Sequence, residues 1–315
     1  MAKPIELRDY QIRVLNDVVE HGRAGRRRVL ICLPTGAGKT TVAGAFARRA
    51  IDKGRRVLAV CHRRELVEQM ARRFADMTGE PVSIVQAGRR DPAPSASLVV
   101  ASVQTLLARD HYPPADIVIP DEAHHYPAEQ WRKALDVYGR SFLLGLSATP
   151  SRADGKPLGD VFEAIVAGPQ PSELIAAGHL VPVEVVTPPE SLKALAQNPA
   201  EALTKIAPGR RTVVFAASRE QSKEVVASLL NQGVPAAHVD MATHAQNRSR
   251  ILTRFAQGEI QVVSNVGILT EGFDCPAAEV CVLARPVGSL SLYLQMVGRV
   301  LRPYPGKGSA LLIDL

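Results

Sequence analysis

The sequence predicts an α/β fold built as two successive, mostly parallel sheets with helices on both faces. Three observations carry that prediction. Short runs rich in branched apolar residues alternate with helix-length segments along nearly the whole chain. The alternation breaks once and then restarts. Polar clusters directly follow several of the apolar runs, and that is where a parallel sheet gathers its ligands.

In the first half the strand-like runs are Val29–Leu33, Val57–Cys61, Val82–Gln86, Leu98–Ala101, Ile117–Ile119 and Phe142–Leu146. Helical patterns fill Lys39–Ile51, Arg64–Met77 and Ala128–Val137. A stretch punctuated by Gly and Pro, from Pro150 to about Pro189, interrupts the alternation and marks a crossover. Helical character returns at Leu192–Ile206. Strands are then expected at Thr212–Ala216, Ala236–Val239, Ile260–Ser264, Val280–Leu283 and Ala310–Asp314. Helices are expected at Arg219–Asn231, Ala245–Gln257 and Ser289–Val300. The domains so defined are 1–185 and 186–315.

A length of 315 residues suits two domains of ordinary size, and a hydrophobic share of 46% is enough to fill two cores. The net charge of +7 is concentrated. Residues 1–60 hold 13 Lys or Arg against 5 acids, and the remainder holds 25 against 26. A basic lobe suits a phosphate-rich partner, and it equally suits a solvated face. Four cysteines, Cys32, Cys61, Cys275 and Cys281, form no CxxC pair, so neither a zinc knuckle nor a disulfide framework is indicated. The N-terminus lacks a signal-peptide pattern and no apolar window is long enough for a bilayer. The expectation is a cytoplasmic protein with no membrane partner.

The most specific local signal is Pro34-Thr35-Gly36-Ala37-Gly38-Lys39-Thr40-Thr41, directly after an apolar run. Glycines let backbone N–H groups turn inward on phosphates, and the helix that follows presents its positive end. In such a loop Lys39 reaches the β- and γ-phosphates of ATP and the Thr40 hydroxyl joins Mg²⁺. Pro34 is read at the place where the strict pattern has its first Gly. Asp121 after Ile117–Ile119 is the expected Mg²⁺ carboxylate, and Glu122 orients and deprotonates the attacking water. His124 and His125 follow. With no Cys near enough to complete a metal set, hydrogen bonding that couples the hydrolytic site to its neighbours is the favoured role for His124. Gln295, Arg299 and Arg302 are spaced to share one face of a single helix, two guanidinium groups suited to a polyphosphate.

In this order the pieces resemble the superfamily 2 helicases and translocases, in the branch marked by Asp-Glu-Ala-His, over nearly the whole chain. Pro34–Thr41 is similar to motif I, Asp121–His124 to motif II and Ser147-Ala148-Thr149 to motif III. Cys61–Leu66 is similar to motif Ia, Ala101–Thr105 to Ib, Val213–Ser218 to IV, Asn265–Asp274 to V and Gln295–Arg302 to VI. The resemblance implies two tandem RecA-like domains of the P-loop NTPase kind with an ATP cleft between them. It also implies that Arg299 and Arg302 act on ATP bound by the first domain, Arg302 as the finger on the γ-phosphate.

Arg8 and Gln11 then fall in the adenine-sensing segment, with Gln11 reading the base edge and Arg8 or Tyr10 stacking on it. Asp274 is expected near the ribose or at the inter-domain contacts. Ser147, Thr149, His124 and Gln295 couple hydrolysis to movement. Arg63, Arg64, Ser102, Gln104, Thr105, Ser218 and Thr270 touch a nucleic-acid backbone.

The implied function is an ATP-dependent motor that translocates on or unwinds nucleic acid, DNA over RNA. The motor core works as a monomer, with room for an accessory domain or protein partner. Two alternatives stay open: a nucleic-acid-stimulated ATPase that remodels or clamps without strand separation, and a non-catalytic, nucleotide-gated binding module of a larger complex.

Overall fold

The computed structural model describes residues 6–89, 95–150, 158–187, 198–270 and 274–315, apart from the side chains of Arg64 and Glu65. The chain divides into two compact units, Met1–Gln170 and Pro171–Leu315.

The first unit runs α1 (Asp9–Arg23), β1 (Arg28–Cys32), α2 (Lys39–Ile51), β2 (Val57–Cys61), α3 (Arg64–Thr78), β3 (Ser83–Val85), β4 (Leu98–Ser102), α4 (Val103–Arg109), β5 (Ile117–Pro120), α5 (Glu129–Leu135), β6 (Phe142–Ser147) and β7 (Ala164–Ala167). Its seven strands form one sheet in the order β3-β4-β2-β5-β6-β1-β7, every pairing parallel. All five residues of β2 and all five of β4 are buried, as strands covered on both faces must be. One side packs Leu30, Leu58, Val99 and Val118 under Tyr126, Trp131 and Phe162. Helix α1 lays Tyr10, Val14, Leu15 and Val18 inward at helical spacing.

The second unit runs α6 (Pro171–Ala176), β8 (Val183–Val186), α7 (Pro199–Ile206), β9 (Thr212–Ala216), α8 (Arg219–Asn231), β10 (Ala236–Val239), α9 (Ala245–Gln257), β11 (Val262–Asn265), β12 (Val280–Ala284), α10 (Leu290–Val297) and β13 (Ala310–Asp314). Its six strands are ordered β10-β11-β9-β12-β13-β8, again all parallel. Val214, Val262, Val282 and Ile313 form the centre of its core with Leu203 and Leu229.

Several expectations move. The division falls after Gln170 rather than after residue 185, because β8 pairs with β13 and so belongs to the second sheet. Composition missed α1, α4, α6, β7 and β8, four of them seven residues or shorter. The expected helix Leu192–Ile206 lies partly outside the described residues, and its described part is α7. The basic cluster Arg23–Arg28 sits at the amino end of β1, opposite the edge that carries the glycine loop. The backbone N–H groups of Arg27 and Arg28 donate to the Glu163 carboxylate (2.7 and 3.4 Å).

Candidate nucleotide site and its surroundings

The glycine loop leaves the carboxyl end of β1. Leu33 N–H still donates to Ser147 O on β6 (3.1 Å), and the chain then turns sharply. Gly36 and Gly38 adopt φ of +88° and +85°, a region that side chains resist. A Cβ on Gly38 would also collide with the Gln11 amide. Gly38 is the N-cap of α2 and offers no side-chain cap, so the helix start presents its positive end uncovered by any capping side chain. Lys39 Nζ reaches back over the loop and donates to Leu33 O (3.0 Å). Counting five residues back from Gly38, the place of the strict pattern's first Gly belongs to Leu33, not Pro34.

Helix α1 holds this loop with a clasp. Tyr10 Oη donates to Ala37 O (2.7 Å) and Gln11 Nε2 donates to the same oxygen (3.1 Å). Gln11 Oε1 accepts from Arg8 N–H (3.0 Å), and Arg8 Nη1 donates to Tyr10 Oη (3.3 Å). Tyr10 is buried at 5% exposure and Gln11 at 4%. The expectation that Tyr10 stacks on a base therefore changes: its ring is in the core and its hydroxyl braces the loop. Gln11 has both ends of its amide engaged here, one of them on the loop itself.

The acidic pair follows β5. Asp121 N–H donates to Val60 O of β2 (2.9 Å), which fixes Asp121 at the end of the β2–β5 pairing. Glu122 takes φ +50°, one of two non-glycine residues with positive φ among those described. That conformation costs about 1–2 kcal/mol and persists where its surroundings hold it. Glu122 Oε2 lies 3.4 Å from His124 Nδ1. His124 Nδ1 is also 3.4 Å from Ser147 Oγ, which accepts from Thr149 N–H (3.3 Å). His124 thus stands between the acidic pair and the Ser147–Thr149 segment. Burial pushes the Cys61 thiol well up, and the charges of Asp121 and Glu122 push it further. Burial likewise raises Cys32, against the opposing charge of Lys39. Both stay thiols at neutral pH, which makes them poor metal ligands.

Four adjacent strands, β2, β5, β6 and β1, therefore bring His62, Asp121–Glu122, Ser147–Thr149 and the glycine loop to one carboxyl edge.

In the second unit the predicted helix to Val300 ends at Val297. The Arg299 and Val300 N–H groups bond three residues back, to Met296 O and Val297 O, in tightened turns. Gln295 is in the helix and buried at 3% exposure, and Arg299 and Arg302 lie beyond it, so the three do not share a helix face. The buried Arg299 guanidinium donates from Nε and Nη2 to Thr270 O (3.1 and 2.7 Å). Arg302 Nη1 pairs with Asp274 Oδ1 (2.5 Å). Glu271, Gly272 and Phe273 lie outside the described residues.

Sequence reasoning missed two anchors here. Asn265 Nδ2 donates to Val214 O (2.8 Å) while its Oδ1 accepts from Leu269 N–H (3.2 Å), closing the loop after β11. Lys307 Nζ donates to Pro276 O, Ala278 O and Arg302 O, and burial lowers its pKa to about 8. An amide ending an apolar strand was the readable sign of the first. Nothing local announced the second.

The expected backbone-contacting residues separate by exposure. Gln104 is exposed and its Oε1 accepts from Ser102 Oγ (2.8 Å), whereas Ser102 and Thr105 are buried. Arg63 is partly exposed and its Nε donates to His62 Nε2 (3.2 Å). Ser218 Oγ caps α8 by accepting from Gln221 N–H (3.1 Å). Thr270 is buried, with its carbonyl on Arg299. The Arg64 side chain lies outside the described residues.

A parallel sheet with a glycine loop between one of its strands and a helix, and an acidic residue ending a nearby strand, defines the P-loop class of nucleotide-binding folds. Comparison narrows the class. Residues 4–152 match the family model described as type III restriction enzyme, res subunit, and residues 194–304 match the helicase conserved C-terminal domain. With both models present in that order, the chain belongs to the superfamily 2 helicases.

It is 29% identical over 306 residues to the 51.5 kDa protein of a Lactococcus phage (isolate 7-9), covering 90% of this chain and 65% of that one. It is 24% identical over 371 residues to the DNA 3'-5' translocase XPB2 of Sulfurisphaera tokodaii, covering 99% and 81%. In fold it resembles the ATP-dependent type ISP restriction-modification enzyme LlaBIII bound to DNA, with TM-score 0.76 and 17% identity, over 99% of this chain and 28% of that one. The chain spans about half to two thirds of the length of several curated relatives. Among the described residues no helix is long and apolar enough to cross a membrane.

Proposed function

We propose that this chain is an ATP-driven motor of the Asp-Glu-Ala-His type that moves along nucleic acid, DNA rather than RNA. One observation carries the reading: a glycine loop, an acidic pair with Glu122 held in strained backbone and a Ser-Ala-Thr segment share one sheet edge, and His124 stands between the last two. An ATPase needs that set together, because phosphate binding, water activation and a response to hydrolysis must be adjacent.

The residues fit ATP and Mg²⁺. The α2 start, its glycines and Lys39 suit a polyphosphate. The Thr40 hydroxyl and the Asp121 carboxylate are hard oxygen donors that suit Mg²⁺, an ion that leans on few protein ligands beside substrate phosphates. Mg²⁺ would supply charge neutralisation on the phosphates. Glu122 holds and deprotonates the attacking water. Lys39 exchanges the Leu33 carbonyl for phosphate oxygen. We assign Arg302 the γ-phosphate during turnover, Arg299 the upkeep of the Thr270 turn, and Asp274 the holding of Arg302 between cycles. Gln11 and Arg8 set the loop that receives the nucleotide, and Arg63 and Gln104 meet the backbone of the track. One chain carries every one of these groups, so we take the motor core as a monomer. Three buried cysteines and a partly exposed fourth, all free, fit a reducing cytoplasm.

The DNA preference draws on the relative named as a DNA translocase. A second reading, a motor or clamp that does not separate strands, is favoured by one feature. Every strand pairing among the described residues is parallel, so none of them forms a hairpin of the kind that splits a duplex. Steady-state ATPase without nucleic acid and with duplex DNA, single-stranded DNA and RNA tests the proposal. The expected result is stimulation by DNA; equal turnover in all four would end it. Strand displacement beside triplex displacement separates the two readings, since translocation alone clears only the triplex.

A further inference from the structure

The first unit holds a row of three histidines, of which the motor reading uses only His124. His62 follows β2, and His124 and His125 follow β5, the neighbouring strand. The His62 and His125 rings lie 4.9 Å apart between centroids, and the His125 and His124 rings 4.3 Å apart. Trp131 also stacks with His125, at 6.4 Å between centroids and 16° between planes. The two ends of this row are chemically distinct. At one end His124 Nδ1 faces Glu122 Oε2 at 3.4 Å. At the other, Arg63 Nε donates to His62 Nε2 at 3.2 Å. His62 Nε2 accepts in this contact, so it is the ring nitrogen that the Arg63 guanidinium orients.

We propose that His62 and His125 are positioning residues that report occupancy of Arg63 by nucleic acid to Glu122. This rests on the motor reading above, and it adds the route by which the track speeds hydrolysis. The two-state element is the Arg63 Nε–H group. Without a track it is held by an imidazole nitrogen. A backbone phosphate is the stronger acceptor, because a charge-assisted bond to guanidinium exceeds one to a neutral ring. When Arg63 turns to phosphate, His62 Nε2 loses the donor that oriented it. The ring is packed against His125, and His125 against His124 and Trp131, so a reoriented His62 is felt along the row. Packed rings with two arrangements pass on such a change where a loose surface would absorb it. His124 then resets Glu122, which is already held in strained backbone. In this scheme the resting Arg63–His62 contact restrains ATP hydrolysis until a track is bound.

The test uses the whole chain with linear duplex DNA. Turnover is measured with and without DNA, DNA affinity by fluorescence anisotropy, and folding by thermal denaturation. His62→Phe keeps a ring in the row and removes the acceptor for Arg63. The expected result is DNA-free turnover raised toward the DNA-bound rate, unchanged or tighter DNA binding, and about a tenfold loss of the stimulation factor. His125→Ala removes the ring that relays the change and is expected to lose stimulation alike, so failure of one variant to fold leaves the other decisive. His62→Gln, which restores an acceptor, is expected to recover part of the factor. A merely structural role would change stability or affinity and leave the factor intact. If the parent is stimulated and the His62→Phe and His125→Ala variants are stimulated equally, the histidine row is overturned and the motor reading stands. If the parent is not stimulated at all, both fall.

Discussion

The two sheets set the same stage and finish it differently. In each unit a buried strand, β1 or β9, runs into a helix whose first N–H groups need partners. In the second unit the sequence supplies them. Ser218 Oγ accepts from Gln221 N–H, and Gln221 Oε1 accepts from Ala217 N–H (2.7 Å), a reciprocal cap. In the first unit the N-cap is Gly38, with no side chain to offer and a backbone only glycine tolerates well. The parallel sheet makes both helix starts electropositive, and leaving one of them uncapped turns it into an anion site. The clasp from Tyr10 and Gln11 then does from outside what a cap does from within, holding the loop without covering it.

The largest break in this contrast comes from removing the loop's charge. Lys39→Ala is expected to abolish nucleotide binding and lower turnover by about 10³-fold, the scale for losing a group aimed at developing charge. Isothermal titration with ATP and steady-state ATPase check it, and retained binding would put the loop's affinity in its backbone alone. Next, Glu122→Gln keeps the shape and the left-handed backbone but loses the base. ATP binding should persist while turnover falls by about 10²–10⁴-fold. Parental turnover in that variant would move the base elsewhere. In the second unit, Arg302→Ala should bind ATP normally and turn over about 10²-fold more slowly, because its contact strengthens in the transition state. A change in affinity without a change in turnover would make Arg302 a binding residue only.

How much of this was legible in sequence follows from where the determinants lie. The glycine loop was readable because its chemistry is local: backbone freedom, a lysine and a hydroxyl within a few residues. Asp121–Glu122 was readable because a strand end announces itself by an apolar run. The Arg299–Arg302 segment was misread because spacing cannot see Thr270, twenty-nine residues away, whose carbonyl draws the Arg299 side chain inward where a periodic pattern expected more helix. The clasp was half readable. Tyr10, Val14, Leu15 and Val18 carry a helical period, but the role of Tyr10 depends on an oxygen twenty-seven residues on. Strands β7 and β8 are four residues each and lie at sheet edges, too short to stand out from the Gly- and Pro-punctuated stretch around them.

A smaller effect distinguishes the second unit by pH. Asp240 is buried, which raises its pKa, but bonds from His238 and Thr243 and the charge of Arg219 (2.8 Å) outweigh burial and leave it lowered. A carboxylate depressed in the folded state stabilises fully above its unfolded pKa. That contribution is lost as pH falls from the ordinary aspartate range toward the lower folded value. Thermal melts of the parent should therefore lose stability more steeply below about pH 4 than melts of Asp240→Asn, which begins less stable and flatter. Parallel curves would mean that the Asp240 bonds are made by a neutral group.

The smallest effect addresses the contrast between the two helix starts most directly. Ser218→Ala removes the hydroxyl that accepts from Gln221 N–H and should cost about 1 kcal/mol, read as a lower melting temperature. Ser218→Gly should cost only a few tenths of a kcal/mol, because a glycine N-cap leaves the first N–H groups open to water. That ordering, Gly milder than Ala, is the physical condition under which Gly38 is tolerable in the first unit: an uncapped helix start survives when solvent or an anion can reach it. If Ser218→Gly proved as costly as Ser218→Ala, the α8 start would be shielded from solvent. The difference between the units would then lie in access to the helix end rather than in the choice of capping residue.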